Sequence, residues 1–486
     1  MRPSDPCGSV QLKNLGSRPA SATLYGLAAN RYRWLGTQAA HIRRDSIGSA
    51  VSAINSSRLD GAVHGAPCRG GRCVFPAGGR QSIVAKHVLL IAEARIATVQ
   101  ILELILHHLG QTTTLSVSSK LLSELEPEDF TDDTYPLLVR SCSPEASSLV
   151  RALSSTGAPF GFYLDDNFWL LDPTTPLGRH YAAKPTRRRL DSIVREATPV
   201  IASTPLLRDF LRPRARDVQQ LDSFFDFALV PQVLPPRSSH ARLRVGFAAS
   251  ASRGDDLATV LADVCAALEE HPQLEFEVIG ADPEALPDHD RIIAFDYLAS
   301  YAEYVAFQRT REWDIGIAPL GGATSNRYKT DNKYREYAAL GIAGIYQESE
   351  PYSAVRDGVT GLIVGRDRGW REAIDRYCAE PGLIDAVRAA ARQDVEERLS
   401  LDVVAPQWGK FFSAAPAIGD RPGRADAVRR ALAPPSTPRA LRAQRRRLLW
   451  AYGRTHLAER GFWFTLVRTV RYPFRRRREK PFSLLR

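Results

Sequence analysis

Three stretches of this chain carry side chains able to do chemistry at spacings that converge. In Asn326–Gly341 (NRYKTDNKYREYAALG), Lys329 and Lys333 are four residues apart and Glu336 follows Lys333 by three. One helical face therefore carries two ammonium groups and a carboxylate, provided the helix reaches back to Lys329. A lysine there can neutralise phosphate charge, and a carboxylate can accept hydrogen bonds from two hydroxyls. A solvated face with an ordinary Lys–Glu pair has the same spacing. The second stretch is Ala249–Asp256 (ASASRGDD), where small residues including Ser250 and Ser252 precede Arg253 and a helix start. Small residues let backbone N–H groups approach an anion at the positive end of a helix. Asp255 and Asp256 would repel that anion if they faced it, and they serve equally well as helix caps. The loop is not a P-loop and contains no G-x-G-x-x-G. The third is Asp165-Asp166, followed by Phe168-Trp169. Adjacent acids and aromatic faces suit the hydroxyls and faces of sugars; turn capping would use the same residues. Asp172 is the one further acid at ligand spacing and no His joins it, so no metal is expected.

Each stretch sits where a strand should end. From His87 onward, apolar runs alternate with helical periodicities. Val88–Ala92, Pro136–Cys142, Phe160–Leu164 and Pro199–Ala202 read as buried strands, and Ser143-Pro144 and Thr204-Pro205 open helices. Asp165-Asp166 falls at the carboxyl end of the third. Residues 231–236 (PQVLPP) read as a linker, after which a second series begins with the strand Leu243–Ala248. Leu257, Val260, Leu261, Val264 and Leu268 then mark one amphipathic helix. Strands follow at Leu274–Ile279, Trp313–Pro319, Ile342–Tyr346 and Gly361–Val364, with a helix over Lys333–Leu340 capped by Gly341. The expected fold is α/β: two Rossmann-like doubly wound domains, 85–235 and 240–415, facing a cleft. Ligands in such sheets bind beyond the carboxyl ends of the strands, which selects the three stretches above. Residues 1–84 lack periodicity and read as a poorly ordered extension. Residues 416–438, rich in Ala, Pro and Arg, read as a flexible linker.

The 486 residues carry a formal charge of +11. That figure alone would suggest nucleic acid, but it is unevenly placed. Residues 439–486 hold 15 Arg and Lys against two acids, a net of +13, which leaves 50 basic and 52 acidic residues, a net of −2, for residues 1–438. The six cysteines are scattered and indicate neither a disulfide framework nor a zinc site. Cys68 and Cys73 have no second pair nearby. No apolar run reaches a membrane-spanning length and the N-terminus is not a secretory signal. The expected location is the cytoplasm.

The residues from Lys333 to Val364 (KYREYAALGIAGIYQESEPYSAVRDGVTGLIV) closely resemble the nucleotide-sugar-binding segment of bacterial glycosyltransferases of the GT-B fold, the family 1/4-like "group 1" type. The marks are Lys333, Glu336, Tyr337, Gly341, Pro351-Tyr352, Asp357-Gly358 and Gly361-Leu362. Asp165-Asp166-Asn167 looks like an acidic element of the first domain in some members. The resemblance spans about residues 85–415. It implies that Glu336 binds the donor ribose and that Lys333 lies near the donor phosphates. It also implies that Ser250, Ser252 and Arg253 form the loop over the diphosphate, with Lys329 and Tyr337 completing the donor side. Asp165 and Asp166 become acceptor-side candidates, and no catalytic base is assigned. Two departures stand out: Tyr328 occupies the position of a glutamate eight residues before Glu336, and Ala343-Gly344 replaces the usual proline after the Gly-Ile turn.

The implied activity is transfer of a hexose from a nucleotide diphosphate sugar to an acceptor hydroxyl, with retention of configuration, no metal and no cofactor besides the nucleotide sugar. The tail refines the setting. Leu441, Leu448, Leu449 and Tyr452 share a helical face around Arg445–Arg447, and Trp450, Phe462, Trp463 and Phe464 interleave with basic residues. Such a segment suits a helix lying on an anionic membrane, better than nucleic acid, whose phosphates need no apolar face. The expectation is a peripheral enzyme at the inner face of the plasma membrane, acting on a lipid-linked or cell-envelope glycan. A non-catalytic sugar-nucleotide-binding or scaffold protein and a sugar-nucleotide epimerase of the same fold are the alternatives.

Overall fold

A computed structural model describes residues 85–234, 236, 242–249 and 254–433. The extension 1–84, the loop residues Ser250, Ser252 and Arg253, and the tail 439–486 lie outside the described residues. Among those described, no helix is long and apolar enough to cross a membrane.

The first sheet is assembled from β1 (His87–Ala92), α1 (Ala97–Thr112), β2 (Ser116–Leu121), β3 (Thr134–Val139), α2 (Pro144–Ser155), β4 (Gly161–Leu164), α3 (Pro176–Ala182), α4 (Lys184–Glu196), β5 (Val200–Ala202), α5 (Pro205–Leu211) and β6 (Val218–Gln220). Its strand order is β2-β1-β3-β4-β5-β6, with all pairs parallel. The central strands are buried on both faces, which is why they read as unbroken apolar runs rather than alternating ones. Alternate residues still choose opposite layers: Leu89 and Ile91 of β1 join the core under α2 and α4, while Val88 and Leu90 join the core under α1.

The second sheet comprises β7 (Leu243–Ala248), α6 (Gly254–Ala258), α7 (Leu261–Glu270), β8 (Leu274–Ile279), β9 (Ile292–Phe295), α8 (Tyr301–Arg311), β10 (Ile315–Ala318), α9 (Asn332–Leu340), β11 (Ala343–Gln347), β12 (Leu362–Val364), α10 (Trp370–Ala379) and α11 (Leu383–Leu399). Its order is β12-β11-β10-β7-β8-β9, again parallel. The direction of winding reverses between β7 and β10, and in the first sheet between β1 and β3. These switch points open crevices at the carboxyl ends of the strands.

Two sequence expectations need correction. The amphipathic helix expected from Asp255 to Leu268 is broken into α6 and α7. The Thr259 hydroxyl donates to the Asp256 carbonyl at 2.6 Å, diverting the backbone there, although Leu257, Val260, Val264 and Leu268 face the core as their spacing requires. The stretch 416–438 is not simply a linker either. After α11 the chain returns to the first domain as α12 (Leu401–Ala414) and α13 (Arg424–Leu432). Trp408 and Phe412 of α12 are buried in the α1 side of the first core, and Val428 of α13 packs with α2. Burying a large side chain of this kind contributes about 1.5–3 kcal/mol, which holds the returning segment in place. The outgoing and returning crossings run side by side: Phe225 N–H donates to the Leu399 carbonyl at 2.8 Å, and Leu401 N–H to the Phe225 carbonyl at 2.9 Å.

Candidate functional site

The second-sheet side of the site is built on the first turn of α9, next to β10. Gly316 of β10 allows α9 to approach, because a Cβ there would come within 2.7 Å of the Tyr337 ring. Tyr337 fills that space, is fully buried, and donates its hydroxyl proton to the Ile317 carbonyl at 2.8 Å. It packs α9 against β10 and has no exposed surface. One turn earlier, Lys333 Nζ donates to Glu336 Oε2 at 2.7 Å and to Tyr304 Oη at 3.0 Å, while Tyr304 donates to the same Glu336 oxygen at 3.1 Å. Asn332 Nδ2 supplies Glu336 Oε1 at 3.1 Å. Lysine, tyrosine and glutamate thus close a ring at the start of α9. Glu336 is 2% exposed, and a carboxylate at that depth needs these partners. Burial, and then the neighbouring Glu336 charge, raise the Tyr304 hydroxyl well above its ordinary pKa, so it stays a neutral donor.

The inventory leaves room for a ligand. A carboxylate accepts about four hydrogen bonds and an ammonium donates three. Lys333 Nζ has two acceptors in these contacts, so one of its N–H groups can meet a ligand, whereas Glu336 already has Tyr301, Tyr304, Asn332 and Lys333 around it and would have to exchange a partner for a ligand hydroxyl. The N-cap residue Asp331 makes no side-chain cap hydrogen bond and instead accepts from Arg335 Nε at 2.7 Å, so its side chain does not occupy the positive end of the α9 dipole.

The loops beside this turn are tied together at the switch point. Asp256 Oδ1 accepts from Gly321 N–H at 2.6 Å, and Asn326 Nδ2 donates to the Gly321 carbonyl at 2.8 Å. Asp256 thus ties the start of α6 to the loop after β10, bonding a backbone N–H of that loop rather than capping its own helix.

Lys329 departs from expectation. The helix starts at Asn332, so Lys329 does not share a face with Lys333. It follows a short 3-10 turn, Thr324–Tyr328, and donates to Asp166 Oδ1 of the first domain at 3.1 Å. Its neighbour Tyr328 explains the turn away: the ring meets Phe210 edge-on at 5.5 Å, and its carbonyl accepts from Thr204 Oγ1 at 3.2 Å. Where the resembled family has a glutamate, this chain has an aromatic that fastens the second domain to α5 of the first.

The first-domain side lies at the ends of β3 and β4. Arg140 Nη2 donates to Asp166 Oδ2 at 2.9 Å, its Nε lies 3.3 Å from Asp165 Oδ1, and its Nη1 donates to Thr98 Oγ1 at 3.1 Å. Thr98 in turn donates to Asp165 Oδ2 at 2.6 Å. Burial raises the pKa of Asp165 above the usual carboxylate range, and Arg140 opposes the shift. Sequence reading missed Thr98, Arg140 and Tyr304. None has a neighbour in the chain that would betray its partner.

One His/acid cluster with ligand-like geometry occurs among the described residues, Glu270, His271 and Asp375. It lies at the opposite, amino-terminal edge of the second sheet, and Arg371 already bonds Glu270 and lies 3.7 Å from Asp375.

No family model matches the chain, and no curated protein matches it. Among solved structures it is similar to HepE of Anabaena in complex with UDP and glucose, at 13% identity over 68% of this chain and 100% of that one, TM-score 0.48. It is similar to sucrose-phosphate synthase of Thermosynechococcus elongatus at 12% identity over 67% and 98%, TM-score 0.47. It is also similar to the E. coli trehalose-6-phosphate protein bound with UDP-2-fluoro glucose at 10% identity over 68% and 100%, TM-score 0.48. Function rests instead on the side chains described above. Two doubly wound parallel sheets, opposed at their carboxyl edges and joined by paired crossings with a C-terminal return onto the first domain, make this chain a protein of GT-B architecture.

Proposed function

We propose that the protein is a glycosyltransferase that moves a sugar from a nucleotide diphosphate sugar to an acceptor hydroxyl. The observation that carries this reading is the Lys333–Tyr304–Glu336 ring at the uncapped amino end of α9, beside the second switch point. Lys333 and the α9 N–H groups would stabilise the diphosphate as it leaves, the role that preorganised donors and cations play at developing negative charge. Glu336 would accept hydrogen bonds from the ribose hydroxyls. The Asp165-Asp166 edge lies across the cleft, where an acceptor hydroxyl would sit. Ser250, Ser252 and Arg253 are proposed to cover the diphosphate. The same reading takes the reaction to be retaining and metal-independent, with no cofactor besides the donor.

The basic, aromatic tail 439–486 is proposed to hold the enzyme on an anionic membrane at the cytoplasmic face, so the acceptor is a lipid-linked or cell-envelope glycan. Nucleic acid has no part in it. A second reading, a non-catalytic sugar-nucleotide-binding protein, is favoured by one observation: Tyr328 stands where the resembled family has a glutamate, and its ring packs on Phe210. Turnover with a panel of nucleotide sugars separates the two. Release of nucleotide diphosphate that depends on the sugar donor supports the enzyme; saturable binding without release from any donor supports the second reading.

A further inference from the structure

Only two non-glycine residues among those described have a left-handed backbone, and one is Arg140, with φ of 49°. That conformation strains a residue with a Cβ, and strain of this kind persists where the surroundings enforce it. Arg140 immediately follows β3, at the switch point of the first sheet, and its N–H donates to the Tyr163 carbonyl of β4 at 3.1 Å. The turned backbone directs the guanidinium along the carboxyl edge of the sheet. There it meets Thr98 from α1, Asp165 and Asp166 from the end of β4, and the face of Phe168, 4.9 Å from the ring centroid. It is also one bond removed from the second domain, because Asp166 takes Lys329 on its other oxygen.

We propose that Arg140 is the positioning residue of the acceptor side: its fork holds Asp165 and Asp166 at a fixed spacing and orientation so that they can take the hydroxyls of a polyhydroxylated acceptor. This rests on the glycosyltransferase reading above. A planar fork fixes two carboxylates in direction as well as charge, which a point-charge ammonium does not. Removing it takes away the cation that bridges two adjacent, partly buried carboxylates, while Thr98 stays on Asp165 and Lys329 on Asp166. Arg140 makes none of the hydrogen bonds of the α9 ring, so its loss should act on the acceptor and spare the donor.

The test measures donor binding, acceptor KM and kcat for the full chain and for Arg140→Lys and Arg140→Ala, with melting temperature recorded for each. A misplacement of reacting groups by about 1 Å costs on the order of 100-fold in rate. The expected result is nucleotide diphosphate affinity within twofold of the parent in both variants. Acceptor kcat/KM should fall about 100-fold in Arg140→Ala and less in Arg140→Lys, which restores charge without the fork. If Arg140→Ala does not fold, Arg140→Lys decides alone. Wild-type acceptor kinetics in the folded variants, or equal loss of donor binding and acceptor kinetics, overturns the positioning role and leaves the glycosyltransferase reading standing. A parent chain that transfers no sugar from any donor overturns both.

Discussion

Replacing Lys333 with alanine should weaken nucleotide diphosphate binding far more than it weakens the fold. In the structure Nζ lies 2.7 Å from Glu336 Oε2 and 3.0 Å from Tyr304 Oη, leaving one N–H for a ligand. A hydrogen bond to a charged group contributes about 1.5–3 kcal/mol, which corresponds to about 10- to 150-fold in Kd. The structural cost is separable. Leaving a buried charge with no partner costs about 3–5 kcal/mol, but Glu336 keeps Tyr304 at 3.1 Å and Asn332 at 3.1 Å. The loss should therefore be nearer 2 kcal/mol, a fall in Tm of about 4–8 °C for a domain of this size. Glu336→Gln is the companion. It preserves shape and exchanges a charged acceptor for a neutral one, so it should weaken binding by about 1–1.5 kcal/mol, or about 5- to 15-fold. Isothermal titration with UDP and GDP, well below each variant's Tm, reads both. Parental Kd values in both folded variants would remove the α9 ring from the donor site.

Other outcomes follow from the same structure. Deleting residues 439–486 should release the protein from anionic vesicles and leave its donor hydrolysis unchanged; persistent sedimentation with vesicles would refute the membrane role of the tail. Gly246→Ala should destabilise the fold by about 3 kcal/mol or more, because a Cβ would fall inside the Trp313 indole in a packed interior; an unchanged urea midpoint would contradict that packing. Burial works to raise the Asp394 pKa, but Arg398 and the Tyr334 hydroxyl, 2.6 Å away, hold it below its ordinary value. A carboxyl depressed in the folded state contributes stability above its unfolded pKa, about 3.9, and loses it as pH falls through the lower folded value. Asp394→Asn should thus cost about 1–2 kcal/mol at pH 7 and progressively less below pH 4, measured by urea denaturation across pH. A cost independent of pH would refute the assignment.

What the sequence discloses of this fold follows from how deeply each strand is buried. The central strands β1, β3, β4, β10 and β11 are legible because both faces are covered and their sequences are almost wholly apolar, while β7 (LRVGFA) and β8 (LEFEVI) are legible by alternation and by their apolar ends. The strands that escape notice all lie at sheet edges: β2 (SVSSKL) and β6 (VQQ) carry the polar residues that solvent permits there, and β9 (IIAF) is apolar but only four residues long and partly exposed. At the site, Lys333 and Glu336 are visible because a helix brings residues three apart together. Tyr304 completes their ring from 29 residues upstream, on another helix, and no spacing rule connects them. Arg140 is hidden for a different reason: its role depends on a left-handed backbone at the end of β3, which an arginine does not advertise. Lys329 had the right spacing and still went elsewhere, because Tyr328 packs on Phe210 and the helix begins only at Asn332.

Sugar transfer itself is the most direct test of the central claim. The full chain, incubated with labelled nucleotide sugars and bacterial lipid and glycan extracts, should move the label from at least one donor into an extractable acceptor. Equimolar nucleotide diphosphate should be released, and transfer should fall with Lys333→Ala. Binding of nucleotide sugars without label in any acceptor, and without release of nucleotide diphosphate, would contradict the account.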